Sequence, residues 1–237
     1  MLSTVTTISA ETSLRHRRKY ESKNPIQCWV MKRFHRTIRQ WLDKTSPRRV
    51  LDFGCGEGYF WQALQDYGPL PDVVGLDMRA DAIASARTRL PALTFVCEDL
   101  FSFQPASLES LALRPGSPDI AEPDGGLFDM VIASQVLEHL YEPALYLKRL
   151  CEFAPRHILL TVPHEPCFRR MNLLRGRDLP RWGNHPEHVQ HWSRRSFLRF
   201  VSRYIEIEEF ECRFPFLMVL GHPKPRVSVN ESPRQSV

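Results

Sequence analysis

The sequence predicts a doubly wound α/β domain: five parallel strands with helices on both faces, and an antiparallel strand pair at the C-terminal edge. Three observations lead there. Short apolar runs alternate with helix-period segments from residue 24 to about residue 204, the order that builds a parallel sheet through crossover helices. Residues 50–60, VLDFGCGEGYF, place three glycines between an apolar strand and a helix, where the backbone must turn sharply and a ligand can approach it. A second apolar run, residues 72–76, ends in Asp77, so an acid stands at the tip of the next strand, where this architecture binds ligands.

Residues 1–19 carry no periodicity and are expected to be mobile. Asn24 and Pro25 then signal a helix: Asn24 suits the N-cap and Pro25 the first helical position, while Ile26, Val30, Phe34, Ile38, Trp41 and Leu42 recur on one face. The opposite face is rich in Arg and Lys. Val50, Leu51 and Phe53 close the first strand, and the helix at 60–67 stops at Gly68-Pro69. After the strand to Asp77 comes a helix at 80–90, ended by Pro91, and a strand at 93–97. Residues 104–126 contain four prolines and a Gly-Gly pair and read as a surface excursion with at most a short helix at 107–113. The strand at 128–133, the helix opened by Pro143 and the apolar strand at 157–162 restore the alternation. A second excursion, 164–193, holds four of the nine histidines. A helix at 194–204 then leads to strands at 205–214 and 216–221, joined through Pro215 closely enough to be antiparallel. The polar tail from residue 222 to 237 is expected to be disordered. The domain reading is therefore a mobile segment at 1–23, one domain at 24–221 and a tail.

Composition bounds the function. The chain has 237 residues, enough for one large α/β core, and no apolar run approaches the roughly 20 residues that span a bilayer. The N-terminal segment lacks an apolar stretch ahead of a cleavage site, which argues against a secretory signal; its Ser/Thr content leaves a transit peptide as the alternative. The six cysteines are scattered with no C-x-x-C pair, as expected of reduced thiols in a cytoplasmic protein. Net charge is +5, yet residues 1–49 hold 12 Lys/Arg against 3 Asp/Glu, and residues 165–203 hold nine Arg against three acids. These regional surpluses fit either a solvated basic face or attraction of an anionic acceptor, a lipid surface or RNA.

The glycine loop has the form G-x-G-x-G behind Asp52, and it resembles motif I of the class I S-adenosylmethionine-dependent methyltransferases, whose fold is Rossmann-like. Residues 94–100, TFVCEDL, resemble that family's third-strand motif, and residues 128–140, FDMVIASQVLEHL, its fourth-strand motif in the small-molecule branch that includes ubiquinone-biosynthesis methyltransferases. The resemblance covers roughly residues 50–163, and four ordered motifs are far more specific than one. It implies S-adenosyl-L-methionine as cofactor. The backbone around Gly54, Gly56 and Gly58 would hold its amino-acid end with support from Asp52. Asp77 would bond the ribose hydroxyls, Met78 would lie along the adenine, Asp99 and the backbone of Leu100 would read the adenine edge, and Ser134 would line the methyl-donor channel. Tyr20, in RRKYESKNP, is similar in position to a segment that folds over the methionine end; packing onto the first helix is the competing reading.

Methyl transfer is an in-line displacement, so the protein must align acceptor and donor, exclude water and, for a hydroxyl acceptor, take a proton. The candidate proton acceptors are His139, next to Glu138, and His185, His188 and His191 in the 183–193 stretch GNHPEHVQHWS, read as part of a lid over the open strand ends. In ubiquinone-pathway O-methyltransferases and small-RNA 2′-O-methyltransferases a Glu-x-x-Glu-His at this point binds a divalent metal. Gln135 replaces the first acid here, and an amide brings no charge to a hard cation, so no metal is expected. The functional expectation is methylation of a small-molecule or lipid-linked acceptor, oxygen ahead of nitrogen or carbon. The alternatives are a tRNA or small-RNA methyltransferase, against which stands the lack of an RNA-binding module, and a non-catalytic methyltransferase-like subunit.

Overall fold

The computed structural model describes residues 20–104, 128–153, 156–165 and 188–225. The expected excursions at 104–126 and 164–193, the mobile segment at 1–19 and most of the tail lie largely or wholly outside these residues. Helix α1 spans Pro25–Thr45 and starts as its sequence dictates: the Asn24 side chain accepts from the Ile26 and Gln27 N–H groups, two of the donors that a helix start leaves unmet. Its buried stripe, Phe34, Ile38, Trp41 and Leu42, packs against one face of the sheet.

Strand β1 (Arg49–Phe53), helix α2 (Tyr59–Gln65), β2 (Asp72–Asp77), helix α3 (Ala80–Arg89), β3 (Thr94–Cys97) and β4 (Met130–Ser134) follow. A 3₁₀ turn at Leu137–His139, helix α4 (Pro143–Phe153), β5 (His157–Pro163), helix α5 (Arg194–Val201), β6 (Ile205–Arg213) and β7 (Phe216–Pro223) complete the described elements. The sheet order is β3-β2-β1-β4-β5-β7-β6. The first five strands are parallel, and β7 runs antiparallel between β5 and β6. The chain order therefore reverses between β1 and β4, which opens a crevice at their C-terminal ends.

Differences from the sequence reading sit at element ends, where capping outweighs periodicity. Helix α2 stops at Gln65, and α5 stops at Val201 because residues 202–204 turn the chain into β6. Strand β7 runs two residues past the expected Gly221, to Pro223, since it pairs with Ile205 at the far end of β6. Residues 222–225 thus belong to the folded unit rather than to the tail.

Two apolar clusters, one on each face of the sheet, hold the layers together. One joins α4 and α5 to Leu51, Val131 and Leu160; the other joins α1, α2 and α3 to Val50, Val73 and Ile132. Alternate residues of β1 go to opposite clusters, and strands buried on both faces read as continuous apolar runs for this reason.

Candidate active site

The crevice at the β1/β4 switch holds a cavity of about 300 Å³. Its floor is the glycine loop. Gly54, Gly56 and Gly58 all have positive φ, between 53° and 77°, and the Gly54 and Cys55 N–H groups donate to the Leu76 carbonyl at 2.8 and 3.2 Å, which ties the loop to the end of β2. A Cβ on Gly54 would lie 2.5 Å from Val136 Cγ2, whereas one on Gly56 would meet nothing within 4 Å. Gly54 is therefore required by packing against the β4 turn, and Gly56 leaves open space at the cavity wall.

Two carboxylates face the cavity. Asp52, 2% exposed, accepts a hydrogen bond from Trp61 Nε1 at 2.8 Å. Burial pushes its carboxyl up to about 7, the indole N–H opposes that rise, and the neighbouring Asp77 adds to it. Asp77 accepts from the Gly56 N–H through one oxygen and from the Arg79 N–H through the other, both at 2.9 Å. Burial raises its carboxyl too, against those two backbone bonds. Each oxygen keeps a lone pair for a ligand hydroxyl.

The wall above the loop is aromatic. Tyr20 stacks on Tyr59 at 5.4 Å, and Arg89 lies over the Tyr59 ring at 3.7 Å. Burial, and then the charge of Asp52, hold the Tyr20 phenol well above its ordinary range. Met78, 46% exposed, and Tyr146 line the opposite side. Ser134, also on the wall, is bonded to Thr161 Oγ1 at 2.9 Å.

Not every residue expected at the site lines this cavity. Asp99 Oδ1 accepts from the Phe101 N–H at 2.8 Å as a turn bond, and Leu100 is fully buried in the core. His191 is exposed and outside the histidine cluster described next. His185 lies outside the described residues.

His139, on the cavity wall, and His188 meet edge to face at 5.1 Å. His188 Nδ1 bonds Glu165 Oε1 at the end of β5, and the Val189 and Gln190 N–H groups donate to the Glu138 carbonyl at 2.8 and 2.9 Å, which pins the segment carrying His188 over the 3₁₀ turn. Glu138 and Glu165 are 1% and 3% exposed. A carboxylate at that depth calls for a hydrogen-bond partner, and His188 Nδ1 is the one placed on Glu165. Glu138, His139 and His188 also each offer a ligand atom within 4.8 Å of the others. Gln135 turns away: its left-handed backbone, φ 60°, sends its amide to Thr161 Oγ1 at 3.3 Å.

The sequence reading missed Glu165, Tyr59, Arg89 and Tyr146. Glu165 and His188 are 23 residues apart with an excursion between them, so only the fold brings them together; for Tyr59 the signal was its place directly after the glycine loop.

A methyltransferase-domain family model matches residues 26–204. The chain is 32% identical over 113 residues to trans-aconitate 2-methyltransferase of Acidovorax sp. (strain JS42), 44% of either length, and 29% identical over 116 residues to that of Yersinia pestis (strain Pestoides F), 48% of this chain and 38% of the relative. It thus spans less than half the length of these curated relatives. Among solved structures, magnesium protoporphyrin IX methyltransferase from Synechocystis PCC 6803 with bound S-adenosylhomocysteine superposes with a TM-score of 0.62 at 18% identity, covering 92% of this chain and 96% of that one. The methyltransferase domain of a bacterial Hen1 protein gives 0.56 at 19% identity, covering 81% and 99%. These likenesses are of fold.

Proposed function

Since the chain belongs to the methyltransferase-domain family, within the class I S-adenosylmethionine-dependent group, we propose that it transfers a methyl group from S-adenosylmethionine to a small-molecule acceptor. One observation carries this reading: two buried carboxylates, Asp52 and Asp77, flank a glycine loop that leaves open space at Gly56. The fit to the donor is chemical. An ammonium group suits Asp52, a pair of hydroxyls suits the remaining lone pairs of Asp77, and a flat ring suits the apolar wall at Met78. Asp99 and the backbone of Leu100, which follow the Glu98 N–H bonded to the Asp77 carbonyl, complete the adenine edge in this proposal, and Ser134 faces the reacting side. The bound donor supplies an activated methyl group on a sulfonium.

Everything else falls to the protein. Tyr20 and Tyr59 close the cavity from water, which strengthens the electrostatics inside it. His188, its Nδ1 held by Glu165, presents Nε2 as a base for a hydroxyl acceptor, and His139 stands beside it on the cavity wall. Oxygen acceptors are favoured for that reason. An anionic or lipid-linked acceptor fits the basic surplus of residues 1–49, and trans-aconitate belongs among the first compounds to test because the curated relatives carry its name. A cytoplasmic location accords with free thiols at Cys28, Cys55, Cys97, Cys151 and Cys212; among the described residues no helix is long and apolar enough to cross a membrane.

Calorimetry with S-adenosylmethionine tests the core of the reading. The protein should bind it, and Asp77→Ala should lose about 1.5–3 kcal/mol, the worth of a charge-assisted hydrogen bond; no binding by the intact protein would end the proposal. The cluster of Glu138, His139 and His188 supports a second reading, in which a divalent metal orients the acceptor. Turnover that survives chelation supports histidine chemistry. Turnover abolished by chelator and restored by Mg²⁺ or Mn²⁺ supports the metal.

A further inference from the structure

The end of the sheet opposite the cavity carries a second cluster of ionisable side chains. His157 opens β5, His222 lies near the end of antiparallel β7, and Glu208 belongs to β6 at the edge. Pairing between β6 and β7 shifts register between Ile207 and Glu209, so Glu208 is the extra residue of a β-bulge, a device that re-aims a side chain. Here it brings Glu208 Oε2 to 3.2 Å from His222 Nε2. Gly221, opposite Ile207, allows the close approach that the bulge needs: a Cβ there would sit 2.2 Å from the Glu206 carbonyl oxygen.

We propose that His157, Glu208 and His222 form a binding site for one zinc-class transition-metal ion, with water in the fourth position. Each residue offers a ligand atom within 4.8 Å of the other two. Ligands about 2.0–2.2 Å from a tetrahedral zinc lie roughly 3.3–3.5 Å from one another, so the 3.2 Å pair already has nearly the required spacing. His222 Nδ1 donates to the Arg156 carbonyl at 2.6 Å, the outer hydrogen bond that fixes the tautomer of a metal-binding histidine and leaves Nε2 with its lone pair. His157 Nδ1 is buried with no hydrogen-bond partner among the described residues, and its ring centre is 4.9 Å from that of His222.

Two imidazoles and one carboxylate suit zinc, nickel or copper rather than magnesium or calcium. The neighbouring cations are balanced. Lys44 bonds both Glu208 and Glu209, and Arg156 lies 3.5 Å from Asp129. A bound ion would cross-link β5, β7 and the edge strand β6 at the end remote from the cofactor cavity.

The test uses the tag-free full chain, stripped of metal, in a His139→Ala background that disables the cavity-side cluster. Titration with ZnCl₂ should show one ion per chain, and Co²⁺ should give the intense visible bands of a tetrahedral site. His157→Ala and His222→Ala should each weaken zinc binding at least tenfold, as should Glu208→Gln, which keeps the shape of the side chain. Saturating zinc should raise the thermal midpoint by roughly 5 °C in the background protein and not in these variants. Circular dichroism of the metal-free variants establishes that they are folded. The absence of a stoichiometric site, affinity unchanged by all three substitutions, or equal affinity for Mg²⁺ would each overturn the proposal.

Discussion

Asp52 makes the cavity respond to pH. Its folded-state carboxyl is raised to about 7 from an ordinary 3.8. Below the ordinary value the group is protonated in both folded and unfolded chains and has no effect. As pH rises through the interval up to about 7, the unfolded chain releases the proton first and folding loses stability, on the order of 4 kcal/mol in total. Asp52→Asn should therefore stabilise the ligand-free protein at pH 8 and change little at pH 4, read from denaturant midpoints at both values. A cation in the cavity favours the carboxylate, so S-adenosylmethionine should expel a proton on binding below pH 7. Calorimetry in buffers of differing ionisation enthalpy measures that release, and none at pH 6 would show that Asp52 does not sense the ligand's charge. The glycines separate two costs in the same way. Gly54→Ala meets Val136 in a left-handed backbone and should cost about 2–4 kcal/mol of stability. Gly56→Ala, with space around it, should cost about 1 kcal/mol and act mainly on cofactor affinity.

At the scale of elements, the parts legible in the sequence are those whose cause is local. Asn24 with Pro25 announced α1, and the glycines between β1 and α2 announced the loop that floors the cavity, because caps, turns and strand tips are written in neighbouring residues. Asn24→Ala should lower stability by about 1 kcal/mol by removing two hydrogen bonds from the first turn of α1. The pairs beside the 3₁₀ turn were not legible, since each joins segments far apart in sequence. Glu165 reaches His188 only because β5 ends beside the 3₁₀ turn, and the N–H groups of Val189 and Gln190 hold the segment there. The Glu208 bulge is likewise a property of strand pairing, invisible in the alternation of IEIEEFECR. The histidine assignment can be decided at this scale. His188→Ala should leave S-adenosylmethionine affinity nearly unchanged and lower turnover of a hydroxyl acceptor by about 10²–10⁴-fold. Glu165→Gln should shift the pH profile of turnover, because it keeps the hydrogen bond while removing the charge that supports an imidazolium. A loss under about threefold for His188→Ala would remove base catalysis from the account.

Across the whole molecule, the charge distribution bears on whether the acceptor is a small molecule or RNA. The chain carries +5 overall, concentrated before residue 50, and three of those cations are engaged within the fold. Arg39 bonds Asp43 and the Pro69 carbonyl, Arg49 pairs with Asp72, and Lys44 joins Glu208 and Glu209. Cations spent in such pairs attract phosphates weakly. On the outer face of α1, Lys32, Arg33 and Arg36 are exposed, with Arg33 lying 4.7 Å over Trp29, a patch too small to follow a long phosphate backbone. Affinity that rests on several phosphates falls about 10³–10⁵-fold between roughly 50 and 200 mM salt, because each contact releases a counterion. A metabolite held in a cavity of about 300 Å³ has no such dependence. Turnover of a small acceptor should thus change less than about threefold over that salt range, while filter-binding with RNA should show only weak retention that vanishes at the upper end. RNA binding that is selective for a structure and persists at the higher salt would instead assign the basic face, and the acceptor, to nucleic acid.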